Sequence, residues 1–293
     1  MNNKDLKKVV ESALDKQKVP HVKLKKIGAS KVDVASLTEP SKETRQEYWG
    51  KGLTYCAIIL IIILVASIIG FIGFHGLETF TKDHVNVFQF LTSSDWDPGE
   101  GKNHVGAAAM IVTSFSVTLL AALVATPFAI AVALFMTEYS SKKGARFLQS
   151  VIELLVGIPS VVYGFLGLTV IVPFIRNIFG GTGFGILSAT LVLFVMVLPT
   201  ITSLTVDSLK AVPSDYRKAS LALGATKWQT IYKVILRVAS PRIMTAVIFG
   251  MARAFGEALA VQMVIGNAVL MPANLVSPSA TLTSQLTSQM GNT

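Results

Sequence analysis

The residue pair Arg253 and Glu257 lies four positions apart inside an otherwise apolar stretch of the sequence. An ionised side chain in the middle of a membrane is costly, so it persists only when it is paired or faces water. On one helix this spacing stacks the two side chains on the same face, where they can pair. A guanidinium can also offer a planar fork of donors to phosphate oxygens. The pattern leaves two hypotheses: a structural ion pair between helices, or an anion pathway on which Arg253 contacts the anion and Glu257 holds and releases it by competing for Arg253.

A second candidate is the segment 213–242, which is too long for a simple turn and too apolar for a solvated one. It predicts two short helices, because Ser214 can cap a helix that starts near Asp215 and Gly224 can end it. The second helix would carry one apolar face made of Trp228, Ile231, Tyr232 and Ile235. We expect the segment to dock onto a partner; the alternative is an amphipathic hairpin lying on the lipid surface.

The composition is typical of a membrane protein. Of the 293 residues, 52% are hydrophobic and 15% are charged, and the mean hydropathy is +0.58, values too apolar and too poor in charge for an ordinary soluble domain. The net charge of +9 comes from basic residues that cluster beside apolar stretches, so we expect no nucleic-acid partner. The single cysteine, Cys56, and four separated histidines offer no disulfide and no zinc spacing. With no nucleophile and base arranged for hydrolysis, we expect no catalytic residue, no metal site and no enzyme.

Five apolar stretches are each long enough to cross a hydrocarbon core of ~30 Å, which takes ~20 helical residues. They are residues 53–74, 107–136, 148–175, 184–206 and 243–271. Because they are continuous and lack the alternation of barrel strands, we expect helices, bent at internal prolines such as Pro159. The predicted fold class is an all-α polytopic membrane helix bundle, with a polar basic tail over 1–52 and a transmembrane domain over 53–293.

The distribution of Lys and Arg predicts the orientation of the chain. Twelve of these residues precede residue 53, three lie in 140–147 and seven in 207–242, whereas only three lie in the loops of the opposite side. Because cytoplasmic loops carry the excess of Lys and Arg, we expect a multi-pass protein of a bacterial cell membrane with its N-terminus in the cytoplasm. Glu138 and Glu153, at the cytoplasmic ends of two spans, are expected to be solvated and to need no function.

Within 207–242 the spacing of small and apolar residues resembles the EAA loop of ABC importer permeases, on Lys218-Ala219-Ser220, Gly224, Val234 and Leu236. Two positions depart from that pattern, because Lys218 replaces a Glu and Arg237 replaces a Pro. In the family this loop forms coupling helices that sit in a cleft of a cytoplasmic ATPase. The resemblance implies that 207–242 is the coupling loop and that the residues facing the ATPase are Asp215, Ala219, Ser220, Gly224, Ala225 and Trp228.

Four further stretches are similar to the PstC family of phosphate-importer permeases: 153–164 (ELLVGIPSVVYG), 198–200 (LPT), 253–261 (RAFGEALAV) and 266–267 (GN). This likeness implies a type I ABC importer permease that moves inorganic phosphate by alternating access, with Arg253 and Glu257 on the substrate pathway. The implied partners are a homologous PstA-like permease, a PstB-like ATPase dimer that binds ATP and Mg²⁺, a PstS-like extracellular phosphate-binding protein, and membrane lipid. No cofactor is expected in this chain.

Permeases of this kind have a sixth span, whereas this sequence has five and stops at Thr293, in the expected outer loop before the sixth. We therefore expect the sixth span to be missing, either by truncation or because a separate segment supplies it. Three alternatives stay open: a permease for another oxyanion or a small solute, a non-transporting membrane scaffold that binds an ATPase, and a proton- or sodium-coupled carrier. The carrier is disfavoured because Arg253 and Glu257 are the only charges deep in a predicted span, with no relay of acids.

Overall fold

The structure is a computed structural model that describes residues 42–82, 84–97 and 104–290. Most of the predicted basic tail, 1–52, lies outside these ranges. The chain divides into two compact units, Met1–Gly73 and Phe74–Thr293. The described part of the first unit is helical, and its large apolar side chains are exposed. Within the described ranges the regular structure is helical apart from two isolated β-bridges.

The helices are numbered here in chain order. They are α1 (Lys42–Thr81), α2 (Val87–Thr92), α3 (Ala108–Leu134), α4 (Lys142–Gly157), α5 (Ser160–Leu166), α6 (Val172–Phe179), α7 (Ile186–Lys210), α8 (Ser214–Ala222), α9 (Lys227–Gln229), α10 (Leu236–Phe255), α11 (Leu259–Ile265) and α12 (Leu282–Met290). π-Helical turns extend or join some of them: Phe135–Tyr139 follows α3, Gly167–Ile171 joins α5 to α6, and Thr230–Ile235 joins α9 to α10.

Five of the described helical segments are long and apolar enough to cross a membrane. They are Glu47–Glu78, Ala108–Tyr139, Ser160–Phe179, Ile186–Lys210 and Lys227–Phe255. The predicted all-α polytopic class is therefore confirmed. The first, second and fourth segments overlap the predicted stretches closely, whereas the third and fifth do not.

The third predicted span, 148–175, is interrupted in the structure. α4 ends at Gly157, Ile158 has an extended backbone (φ −69°, ψ 129°), and α5 begins after Pro159. Proline cannot donate a backbone hydrogen bond and disfavours helical geometry in the residue before it. The membrane-spanning segment is consequently Ser160–Phe179, and α4 is a separate helix before it.

The fifth predicted span, 243–271, is shifted towards the N-terminus. The spanning segment Lys227–Phe255 is followed by its C-cap Gly256 and then by the short helix α11. α11 ends in turn where Gly266 and Asn267 adopt left-handed backbone angles, with φ of +95° and +54°, a common way for helices to terminate. The fourth and fifth spanning segments, Ile186–Lys210 and Lys227–Phe255, include the two ends of the predicted coupling loop 207–242. The segment between these two spans is therefore 211–226, which is shorter than predicted.

The second unit is held together around α7, against which α3 and α10 both pack. α3 contributes buried alanines to this core and α7 contributes large apolar side chains such as Leu193, Met196 and Ile201. Small residues let helices approach closely, which is how helices associate in a membrane. A second buried cluster, which includes Met136, lies at the end of the bundle that carries residues 140–141 and 211–226. This end is called the loop end below.

Candidate functional site

A break between α10 and α11 positions the two candidate ionisable side chains inside the bundle. α10 ends at Phe255, and the backbone N–H groups of Gly256 and Glu257 donate to the carbonyls of Ala252 and Ala254, each at 3.2 Å. Where a helix is interrupted inside a bundle, backbone groups at the break lack helical partners, and protein or water must satisfy them. The break is therefore a polar point in an apolar bundle.

Arg253 lies in the last turn of α10 and is half-buried. Its Nη1 donates a hydrogen bond at 2.6 Å to Oγ1 of Thr200, a buried residue that follows Pro199 on α7. In the described ranges no carboxylate lies within 4.0 Å of the Arg253 guanidinium. Because a guanidinium carries five N–H donors, a single neutral acceptor leaves it able to bind an anion.

Glu257 lies in the turn itself. Its Oε1 accepts a hydrogen bond from the backbone N–H of Ala260 at 3.2 Å, and its carbonyl oxygen accepts one from Oγ1 of Thr283 at 2.8 Å. The structural ion pair considered from the sequence does not occur among the described residues. The reason is that the helix ends at Phe255, so Arg253 and Glu257 are not held on one helical face. Their roles on a substrate pathway stay predictions.

A small cavity adjoins the break. Its volume is about 10 Å³, roughly the least space that holds one water molecule. Its polar lining combines one carboxylate with hydroxyl groups from α3 and from the start of α12: Glu257, Ser114, Thr118, Thr281 and Thr283. The described conformation is closed here, because no oxyanion fits a space of this size.

Residues 211–226 and the first turns of the fifth apolar segment, 227–235, together form two helical arms at the loop end. They are called the coupling hairpin (residues 214–235) below. The first arm, α8, begins with Ser214 as a helical residue, so Ser214 does not cap the helix as predicted. Gly224, with φ +80°, reverses the chain after α8, as the sequence predicted. A left-handed glycine is well suited to this position because it lacks a Cβ atom.

Side-chain hydrogen bonds stabilise the second arm and connect it to the first. Thr226 caps α9 by accepting from the backbone N–H of Gln229, and the Gln229 side chain accepts from the Thr226 backbone N–H in return. Between the arms, the hydroxyl groups of Ser220 and Thr230 lie 2.9 Å apart. The coupling hairpin is therefore a connected unit.

The apolar side chains of the second arm face two directions. Ile231 and Ile235 are each 1% exposed, whereas Trp228 and Tyr232 are exposed and stack on each other with ring centroids 6.5 Å apart. The prediction of one apolar face is wrong. The arm passes through the π-helical turn Thr230–Ile235, whose wider i→i+5 spacing changes which side chains share a face.

Most residues predicted to contact an ATPase are accessible in the hairpin. Asp215, Ala219, Gly224 and Trp228 are exposed, and Ser220 and Ala225 are half-buried. Sequence reasoning missed Leu223 at the tip, whose residue surface is 89% exposed. The available signal was the apolar run of residues 221–223 within a segment otherwise rich in charge. Contact of the six predicted residues with an ATPase stays a prediction.

The structure also joins two residues that the sequence analysis did not connect. Arg217 on α8 donates from Nη2 to Oε1 of Glu138 at 2.5 Å. The Glu138 side chain is 9% exposed, so the expectation of a solvated carboxylate is wrong for Glu138, whereas Glu153 is exposed as expected. No local pattern could have found the ion pair, because 79 positions separate its members.

Five apolar segments long enough to span a membrane, a polar break within the bundle and an exposed helical hairpin at one end are features expected of a multi-pass membrane transport subunit. Residues 125–290 match the family described as binding-protein-dependent transport system inner membrane component. The chain belongs to this family and is the permease subunit of an ABC importer, a transport subunit and not a catalytic one. Membership implies a multi-pass protein of the inner membrane with a partner ATPase and a substrate-binding protein.

Two relatives compared by sequence agree with this assignment. The probable ABC transporter permease protein YqgH of Bacillus subtilis (strain 168) is 51% identical over 257 residues, which cover 86% of this chain and 83% of the relative. The phosphate transport system permease protein PstC of Mesorhizobium japonicum is 34% identical over 266 residues, covering 82% of this chain and 79% of the relative. Among solved structures, the inward-facing MetNI methionine ABC transporter matches with a TM-score of 0.47 and 25% identity, over 64% of this chain and 79% of that chain. The resemblance to PstC found in the sequence is confirmed.

Proposed function

We propose that this chain is a permease through which inorganic phosphate enters the cell. The observation that carries the proposal is the Arg253 guanidinium, which lies at a helix break inside the bundle and has Thr200 as its acceptor within the described ranges. A charge inside an apolar bundle is retained when it pairs or contacts water, and a planar guanidinium suits phosphate oxygens. Relatives named as phosphate transport permeases support phosphate as the anion.

Transport in this proposal requires the helices around the break to separate, because the cavity beside Glu257 is too small for phosphate. The break allows α10 and α11 to move independently. Partner ATPases that bind the coupling hairpin differently in their two states would shift the population between inward-open and outward-open forms. Glu257 would release phosphate in a different conformation, in which its carboxylate competes with phosphate for the Arg253 guanidinium.

The proposed complex contains a PstA-like second permease, a PstB-like ATPase dimer that binds ATP and Mg²⁺, and a PstS-like binding protein, with lipid around the spans. The loop end and the N-terminus face the cytoplasm. The orientation can be tested in a Cys56→Ser background with a membrane-impermeant thiol reagent applied to intact spheroplasts. We expect labelling of Thr182→Cys, between α6 and α7, and none of Lys143→Cys at the loop end. The reverse pattern would refute the orientation.

The direct test of function is uptake of labelled phosphate into proteoliposomes that contain the four proposed components, with and without ATP. ATP-dependent uptake that resists excess sulfate and molybdate would support the proposal. Uptake of sulfate or molybdate in place of phosphate would identify a permease for another oxyanion. An assembled complex that takes up none of these three anions would refute the proposal and leave a permease for another solute or a non-transporting scaffold.

Variants of Arg253 test the site itself. Arg253→Ala removes the guanidinium, and we expect phosphate uptake to fall by roughly 10- to 150-fold, because hydrogen bonds to charged groups contribute about 1.5–3 kcal/mol. Arg253→Lys keeps the charge and loses the planar fork, so we expect an intermediate rate. The control is Arg176→Lys, since Arg176 lies at the end of α6 and donates to the Thr182 carbonyl. Parental rates for both Arg253 variants at normal membrane levels would contradict the proposed role.

A further inference from the structure

Glu138 occupies an unusual position for a carboxylate at the end of a span. It belongs to the π-helical turn Phe135–Tyr139 that ends the second span, and its side chain is 9% exposed. A buried carboxylate is stable only if a cation and hydrogen bonds compensate for the lost water. Within the described ranges, the basic groups that hydrogen-bond Glu138 both belong to the coupling hairpin.

Both arms of the coupling hairpin reach this one residue. From the first arm, Arg217 pairs with the Glu138 carboxylate at 2.5 Å. From the second arm, Lys227 donates from Nζ to the Glu138 carbonyl at 2.5 Å and lies over the Tyr139 ring, 4.6 Å from its centroid. Carbonyls at a helix end lack helical partners and favour a cation. Glu138 thus binds one basic residue through its side chain and another through its backbone.

The hairpin is stiff enough to act as a unit on this contact. The hydroxyls of Ser220 and Thr230 join its two arms, and the buried side chains of Ile231 and Ile235 belong to the same apolar cluster as Met136 of the second span. A displacement of the hairpin therefore either displaces the end of the second span or breaks the contacts at Glu138.

We propose that Glu138 is the positioning residue that couples movement of the hairpin to the second span, a role that rests on the proposed ATP-driven transport. Glu138 contacts neither nucleotide nor substrate. It acts by keeping the end of α3 attached to the hairpin while the ATPase moves the hairpin. Without the ion pair, the ATPase still binds and hydrolyses ATP, but part of each cycle no longer opens the bundle.

The readout that separates coupling from simple structural support is the ratio of phosphate transported to ATP hydrolysed in proteoliposomes of the full complex. For Glu138→Gln, which keeps the shape and removes the charge, we expect this ratio to fall by about tenfold while ATP hydrolysis stimulated by the binding protein persists. The matched control is Glu78→Gln, which removes the exposed ion pair of Glu78 with Lys82. The control should keep the parental ratio.

Variants of Arg217, the ion-pair partner of Glu138, keep the inference testable if Glu138→Gln does not accumulate in the membrane. The Arg217 side chain is 30% exposed, so Arg217→Gln should assemble and show the same fall in ratio, whereas Arg217→Lys should retain most of the ratio by keeping a cation. A parental ratio in assembled Glu138→Gln or Arg217→Gln would refute this inference alone. A parental complex that moves no phosphate at all would instead refute the proposed function, and this inference with it.

Discussion

Gly250 lies on α10 at its crossing with α7, close to the proposed anion site. A Cβ atom at Gly250 would lie 2.5 and 2.8 Å from Cγ1 and Cδ1 of Ile201 and 3.0 Å from Cγ1 of Val197. Carbon atoms in contact are normally ~3.5–4.0 Å apart, so the Gly250→Ala variant requires a separation of about 1 Å. Ile201 and Val197 are both 0% exposed, and neither can move aside without disturbing the core.

Overpacking of this kind costs about 1–3 kcal/mol. Alanine also gains up to about 1 kcal/mol of helix propensity over glycine, and this gain must be subtracted. The matched variant is Gly70→Ala, because Gly70 is inside α1 and nothing lies within 4 Å of its Cβ position. The difference between the two variants isolates the packing cost and corresponds to about 5- to 150-fold in the unfolding equilibrium.

The measurement is SDS-induced unfolding of the purified chain in mixed micelles, followed by tryptophan fluorescence. We expect Gly250→Ala to unfold at lower SDS than Gly70→Ala, and its phosphate uptake to fall because α10 moves away from α7 and lengthens the 2.6 Å contact between Arg253 and Thr200. If Gly250→Ala is as stable as Gly70→Ala, the close approach of α10 to α7 is not what determines the packing here, and the reasoning fails.

Two further variants test the anion site and the docking surface. Thr200→Val removes the acceptor that orients Arg253, so we expect phosphate uptake to fall roughly tenfold. The control is Thr205→Val, because the buried Thr205 hydroxyl has no hydrogen-bond partner in the described ranges; this variant should leave uptake unchanged. Equal uptake rates for the two variants would contradict the role of Thr200. Leu223→Glu places a charge at the exposed tip of the hairpin, and we expect it to weaken co-purification of the ATPase about tenfold or more while the gel-filtration profile of the isolated chain stays unchanged. Full retention of the ATPase by Leu223→Glu would exclude the tip from the interface.

The two polar points in the bundle differ in how they are satisfied. At the break, Arg253 hydrogen-bonds a neutral hydroxyl and retains donors for an anion. At the loop end, Glu138 is paired with Arg217 and its carbonyl is bound by Lys227. A charged group without an ionic partner suits a site that binds and releases a ligand, whereas a charged group held in an ion pair suits a mechanical connection. The proposed division of roles follows from this difference.

The sequence alone was sufficient to predict the fold class, the spans around 53–74, 107–136 and 184–206, and the turn at Gly224. Lipid requires about 20 consecutive apolar residues and internal backbone hydrogen bonds, a condition each segment meets independently of its neighbours. The turn depended on local backbone chemistry, because a glycine after a helix readily adopts positive φ. The EAA-like spacing and the RAFGEALAV stretch were sufficient for the family.

Only the tertiary structure decided where the third and fifth apolar stretches break and which charges pair. Hydropathy does not distinguish an apolar residue in a span from one in a short buried helix, so α11 could not be separated from the span before it. Arg253 and Glu257 are four positions apart and do not pair, because the helix ends at Phe255, whereas Glu138 and Arg217 are 79 positions apart and do. Pairing depends on which helices pack together, and that packing is set by close contacts such as Gly250 against Ile201, which only the folded chain provides.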